Sequence, residues 1–367
     1  MLSRFSPKFR RNVSRILPFG VIWLVISWMT TISEVLGGSS QNTNPETDIT
    51  LTLPVFLFAS LAILIMGLLV GFIETVILEK RLRHLSLTRK VVYKMLLYLL
   101  LIFVVIVITY PIAASIEAGL PLSDPEVWQK MLRFMGSLTL LDTMVELAFR
   151  VLVSILYASV SEHIGHQVLV DLVTGKYHRP KVENRIFMFL DMKDSTTIAE
   201  RLGHVEYFQL LQAYYDTMSD PIINSLGEVN EYIGDEVVVT WTTEKGAENN
   251  NCLQCFADIK KSLASKTAYF EKHFGIMPDF KAGMHAGEVT TGEIGSLKKE
   301  IVYTGDVLNT TARIQGLCKQ YQTDLIISDA LFQALEQPIA GTSESIGELA
   351  LKGKVQAVKL HSVSPDL

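Results

Sequence analysis

The apolar residues of this chain are concentrated in one half. Before residue 160 lie four stretches, 16–36, 51–78, 91–112 and 134–160, each long enough to cross a bilayer, for which about 20 residues are needed. The 49% hydrophobic content is therefore the mean of two unlike parts, four expected transmembrane helices and a remainder with the pattern of a soluble α/β protein. The first stretch does not read as a secretory signal, because its apolar run is too long and no Ala-x-Ala-like cleavage site follows it.

The basic residues of the short loops set the expected orientation. Arg4, Lys8, Arg10, Arg11 and Arg15 precede the first stretch, and Lys80, Arg81, Arg83, Arg89 and Lys90 separate the second from the third, whereas 37–50 and 113–129 carry no Lys or Arg. Both termini and the soluble half are thus expected in the cytoplasm, in a multi-pass protein of the cell membrane. A net charge of -5, with the basic clusters beside membrane segments, argues against a nucleic-acid binder.

Cys252-Leu-Gln-Cys255 has the spacing of a redox or zinc half-site, but it falls in a helical pattern with only Cys318 left to join it. Structural zinc takes four ligands and cytoplasmic thiols stay reduced, so these cysteines read as helix-packing residues. Asp142, Glu146 and Arg150 recur every four residues in the fourth apolar stretch, where charge is costly, and either bind a ligand or seal the bundle. The apolar stretches hold no histidine, which argues against a bis-histidine haem.

The chain divides into a membrane domain over 1–160, a linker with helical spacing over 161–183, and a cytoplasmic domain over 184–367. In that last part, strands are predicted over 186–190, 229–233, 236–241, 281–285 and 288–294, and helices over 195–202, 207–225, 250–273 and 308–321, with the end of the chain returning to β. Asp191 ends the first apolar strand and Asp235 sits in the turn of the 229–241 hairpin. Two carboxylates at one sheet edge make a bed for two divalent cations, which stabilise attacking and leaving oxygens in phosphoryl chemistry.

Five motifs in order carry a family resemblance: Phe189-x-Asp191, Gly234-Asp235, Gly283-Met-His-Ala-Gly-Glu288 with Gly292-x-Ile-Gly295, Gly305-Asp-Val-Leu-Asn309-Thr-Thr-Ala-Arg313, and Leu351-Lys-Gly-Lys354. From about Asn184 to Ser362 the chain resembles the class III nucleotide cyclases, the adenylate and guanylate cyclase family. The resemblance implies an α+β chain in which a four-helix transmembrane bundle precedes a mixed α/β, ferredoxin-like cyclase domain. It implies conversion of ATP to cyclic AMP and pyrophosphate for second-messenger signalling. Two Mg2+ or Mn2+ ions are implied on Asp191, Asp235 and the Met192 carbonyl, one activating the ribose 3′-hydroxyl and the other gripping the triphosphate. The rival reading is a receptor module with a catalytically silent cyclase domain, against which the presence of Asp191, Asp235, Asn309 and Arg313 weighs.

The start of the helix after Asp191, Lys193, Asp194, Ser195 and Thr196, is expected to offer amides to phosphate, with Asp194 or Ser195 capping it. The family has an aromatic residue where Ser195 stands. Asn309 and Arg313 share a helix face and, by the resemblance, orient the ribose and stabilise charge on the α-phosphate; Lys352 or Lys354 meets the terminal phosphates. The same resemblance implies a head-to-tail homodimer that joins the aspartates of one copy to the Asn/Arg pair of the other. The purine-reading positions fall on Glu231 and Val302. Adenylate cyclases have Lys at the first of these and guanylate cyclases Glu, so Glu231 points towards GTP and cyclic GMP as the alternative. His285 is expected to be a hydrogen-bonded strand residue with no catalytic role.

Overall fold

The computed structural model describes residues 6–36, 46–78, 81–82, 85–336, 339, 341–350 and 357–365. The chain divides into two compact units, Phe9–Val170 and a second made mainly of Asp171–Leu367; this division falls inside the segment read as a linker.

The first unit contains α1 (Pro7–Leu36), α2 (Leu53–Phe72) running on as a π-helical turn over Ile73–Leu78, α3 (Leu87–Ala118), α4 (Pro125–Met135) and α5 (Leu138–Ile164). Four of these segments are long and apolar enough to cross a membrane, and only 22% of each apolar window is buried within the chain, which leaves most of the apolar surface facing outward. The expected fourth stretch began at residue 134, but Phe134 instead lies in α4. Asp124 caps α4 by accepting from the Glu126 amide, and Ser137 starts α5 afresh by accepting from the Leu140 amide.

Two buried charged groups inside this unit have charged partners. Glu74, in the π-helical turn, forms a buried ion pair with Lys94, and its other oxygen accepts from the Tyr98 hydroxyl at 2.6 Å. Arg150 is buried and donates to Glu146 at 2.5 Å and to Thr30 of α1 at 3.3 Å, so this part of the expected charged stripe ties helices together. The helical spacing over 161–174 is interrupted: α5 stops before Gly165, whose φ is 94°, and α6 (His166–Val173) follows.

The second unit runs β1 (Lys181–Met192), α7 (Ser195–Leu202), α8 (His204–Asn224), β2 (Glu228–Ile233), β3 (Glu236–Thr242), α9 (Thr243–Ala247), α10 (Asn251–Ser265), α11 (Thr267–Phe274), β4 (Phe280–Ile294), β5 (Glu300–Thr304), α12 (Asp306–Leu317), β6 (Leu325–Ser328), α13 (Asp329–Ala334), β7 (Gly341–Leu349) and β8 (Val358–Pro365). The strands form one sheet in the order β2-β3-β1-β4-β6-β8-β7, and β5 pairs with β4. This mixed sheet with its helices is the expected α+β class.

β1 is apolar on both sides because both faces of the sheet are covered. Ile186, Met188 and Leu190 face the main core with Leu210, Tyr214 and Met218 of α8, while Phe187 and Phe189 pack with Val238, Val289 and Val307 of α12. Asp191 is the next residue on the α12 side. The strands expected over 281–285 and 288–294 form one continuous β4, paired with β1 across Ala286 and Gly287. The helix expected over 250–273 is two, interrupted at Lys266 (φ -106°, ψ 14°). There the Ser265 and Thr267 hydroxyls donate back to the Ser262 and Ala264 carbonyls and compete with the helix ladder.

Candidate active site

Asp191 and Asp235 meet at one edge of the sheet. Strand alternation delivers Asp191, and the two-residue turn between paired Ile233 and Glu236 delivers Asp235, with Gly234 at φ 64° and its carbonyl accepting from the Tyr215 hydroxyl. The Asp191 carboxyl lies close enough to Asp235 to act on its charge. Burial raises the Asp235 carboxyl above its ordinary range, the nearby Ser195 hydroxyl opposes this, and the neighbouring Asp191 raises it further. Glu236 is raised as well, by burial and then by Asp191, Asp235 and Glu231.

Among the described residues the Asp235 Oδ2 atom is buried with no hydrogen-bond partner. An acceptor-only pair with an orphaned oxygen is a donor set that hard divalent cations fit. Among the described residues no group of three or more His, Cys, Asp or Glu side chains is gathered for a metal, so the carboxylate donors here come as a pair. Met192, whose carbonyl the resemblance makes a further ligand, is the last residue of β1.

Two residues that hold Asp191 were not foreseen. Lys281, directly across from it on β4, pairs with its Oδ2 at 3.2 Å, and Gln315 of α12 donates to the same oxygen at 3.1 Å. The strand register points to Lys281; Gln315 leaves no local signal. α12 comes this close because glycine lines its track. A Cβ on Gly283 would lie 2.4 Å from the Gln315 nitrogen, and one on Gly287 would lie 2.6 Å from Val307 Cγ2.

The turn after Asp191 departs from expectation in two ways. The Lys193 amide is not free but donates to the Asp279 carbonyl at 2.9 Å, and its ammonium is taken up by Asp279 and Asp324. Burial lowers the Lys193 pKa, but these carboxylates outweigh it and hold the ammonium above the usual lysine range. Asp194 adopts a left-handed φ of 55° and makes no side-chain cap, and Ser195 is already the first residue inside α7, so neither caps it as expected. With Ile198 donating to Asp194, the amides of Ser195, Thr196 and Thr197 belong to the open first turn.

Asn309 is exposed on α12, and Arg313, one turn on, is half-buried with its Nη1 out of water and unpartnered among the described residues. Gln315, which reaches Asp191, lies about 200° round the helix from Arg313, so the Asn/Arg face turns away from the aspartates of its own chain. Glu231 is exposed on edge strand β2, where a bulge between Val229 and Glu231 puts it opposite Val238, on the face that also carries Glu228. Arg185 connects that strand to the one holding Val302, donating to Glu228 at 2.9 Å and lying 4.7 Å from the Tyr303 ring centre. Lys352 and Lys354 lie outside the described residues.

His285 is buried and hydrogen-bonded to Ser328 at 2.7 Å. Cys252, Cys255 and Cys318 are free and buried, and burial pushes each thiol up to about 12, which keeps it protonated and unreactive.

Comparison with known proteins gives a consistent family. The model of the adenylate and guanylate cyclase catalytic domain matches residues 178–364. The chain is 34% identical over 205 residues to "Adenylate cyclase 2" of Rhizobium meliloti, the match covering 56% of each chain. It is 26% identical over 189 residues to an adenylate cyclase of Anabaena cylindrica, covering 48% of this chain and 36% of that one. The chain thus spans about half or less of the length of these relatives. A solved bacterial light-regulated adenylyl cyclase shares the fold, with a TM-score of 0.52 at 20% identity over 60% of this chain and 62% of the other.

Proposed function

Because this chain belongs to the adenylate and guanylate cyclase catalytic domain family, we propose that it is a membrane-anchored nucleotide cyclase that turns ATP into cyclic AMP and pyrophosphate. The observation that carries this reading is the Asp191–Asp235 pair with its orphaned, buried oxygen. The names of its adenylate cyclase relatives favour ATP.

Asp191, Asp235 and the Met192 carbonyl would hold magnesium or manganese ions, which supply Lewis-acid activation of the ribose 3′-hydroxyl and charge neutralisation at the triphosphate. Lys281 and Gln315 fix the Asp191 carboxylate in its orientation. The amides of Ser195 and Thr196 at the open end of α7 face anionic phosphate oxygens, a place to which the helix dipole also draws negative charge. Arg313 stabilises charge developing on the α-phosphate and Asn309 orients the ribose. These two groups turn away from the aspartates of their own chain, which supports a two-fold homodimer in which each site takes Asp191 and Asp235 from one copy and Asn309 and Arg313 from the other. The apolar helices anchor the protein, with both termini and the cyclase unit on the cytoplasmic side, as the loop charges require.

GTP is the second reading, favoured by Glu231. A carboxylate accepts from the N1–H and 2-amino groups of guanine but meets an acceptor at adenine N1. The purified full chain, supplied with Mn2+ and either ATP or GTP, tests both readings by its cyclic product. Production of cyclic AMP, lost in Asp235→Asn, is the expected result. No cyclic product from either nucleotide would leave a silent receptor module in its place.

A further inference from the structure

Directly after Asp191, a closed ring of charges ties the active-site turn to the body of the domain. Lys193 Nζ meets Asp279 Oδ2 at 2.6 Å and Asp324 Oδ1 at 2.5 Å, and Lys260 Nζ meets Asp279 Oδ1 at 2.5 Å and Asp324 Oδ2 at 2.7 Å. Each carboxylate oxygen thus receives one ammonium, and the four charges cancel. The third hydrogen of Lys260 goes to the Phe280 carbonyl at 2.8 Å, and its ammonium lies 4.6 Å from the centre of the Phe280 ring.

The members differ in depth. The Lys260 side chain is 12% exposed, fixed from α10, and the two aspartates are held at the sheet, where the Phe280 amide donates to Asp279 and the Ala282 amide to the Asp324 carbonyl. Lys193 is 36% exposed and is the one member carried by the turn that follows Asp191. At that exposure its ion pairs contribute little to global stability, yet they bind the turn by side chain where the Lys193 amide already binds it by backbone.

We propose that Lys193 is a positioning residue for the divalent-ion site: its ammonium closes the Asp279–Lys260–Asp324 ring and so holds the turn that aims the Asp191 carboxylate and the Met192 carbonyl at one point. The turn needs holding because the next residue, Asp194, is a non-glycine in the left-handed region, which it would leave if released. Without the Lys193 charge, two carboxylates share one ammonium and repel across the ring, and the turn relaxes. The lysine therefore acts through the turn and makes no contact with phosphate.

The inference rests on the cyclase reading, and the test separates the two. Mn2+ binding to the purified full chain is measured by electron paramagnetic resonance, alongside the rate of cyclic nucleotide formation at each Mn2+ concentration, for wild type, Lys193→Met, Lys193→Arg, Asp324→Asn and Asp191→Asn. Lys193→Met is expected to weaken Mn2+ binding about tenfold, the effect typical of losing a group that orients a metal ligand, while the rate at saturating Mn2+ stays within about threefold. Lys193→Arg restores binding to within about twofold, and Asp324→Asn weakens it as Lys193→Met does; should Lys193→Met fail to fold, Asp324→Asn decides. Unchanged Mn2+ affinity in Lys193→Met or in Asp324→Asn overturns the proposal, and so does a rate loss that saturating Mn2+ does not relieve, which would mean direct contact with substrate. Wild type binding Mn2+ no better than Asp191→Asn would instead overturn the cyclase reading and the proposal with it.

Discussion

Gly283→Ala is the most direct probe of how the sheet places the Asn309–Arg313 helix. The new Cβ would stand 2.4 Å from the Gln315 nitrogen, 2.7 Å from its Cα and 2.8 Å from its Cβ, where ordinary contact begins at 3.4 Å. Two of those atoms are backbone, so no rotamer change relieves the clash, and α12 must move off the sheet by about 1 Å. Overpacking of this kind costs about 1–3 kcal/mol of stability, and a shift of about 1 Å in a catalytic group costs about 10²-fold in rate. Asp191 and Asp235 sit on β1 and the β2–β3 turn, so they keep their places apart from the Gln315 contact. Purified full-length Gly283→Ala is therefore expected to melt at lower temperature and to lose about 10²-fold in cyclic nucleotide formation, while still binding Mn2+. A variant that keeps its rate within about threefold and its melting temperature unchanged would refute the argument that close helix–sheet contact sets the position of Arg313.

Other expectations follow from single groups. In metal-free protein the raised pKa of Asp235 makes a contribution to stability that is present below its ordinary value of 3.8 and is lost as pH rises through the raised value; wild type should lose melting temperature relative to Asp235→Asn as pH climbs through this window, and an equal pH response in the two proteins would contradict it. Glu231→Lys should shift the ratio of ATP to GTP turnover towards ATP by at least about tenfold, and an unchanged ratio would show that Glu231 does not read the base. In the membrane unit, Lys94→Met strands the buried Glu74 carboxylate at a cost of about 3–5 kcal/mol, most of which Glu74→Gln should restore in the double variant. Equal melting temperatures for the single and double variants would mean that the pair is not buried as described.

Much of the site was legible because its pieces are local. The apolar run ending in Asp191, the Gly234-Asp235 turn and the i, i+4 spacing of Asn309 and Arg313 are each written in a few consecutive residues. What failed to show was long-range or antagonistic to local pattern. Gly287 reads as a strand break, yet β4 continues through it because the glycine serves the approach of α12 instead of a turn. Lys193 reads as a helix-start residue facing phosphate, but its partner Asp279 lies 86 residues away, and nothing near Lys193 in sequence announces the pairing.

By itself the sequence determined the long apolar helices and the main strands and helices of the site in their order, since apolar runs of bilayer length and the apolar run of β1 follow from hydrophobic periodicity, which neighbouring residues alone define. Only the tertiary structure decided which groups meet: the Asp191 and Asp235 carboxyls at one edge, Lys281 and Gln315 on the first of them, the charge ring beneath Lys193, and an Arg313 facing away from its own aspartates. Those outcomes depend on strand register and on how closely a helix can lie on a sheet, quantities fixed by contacts between residues far apart in the chain.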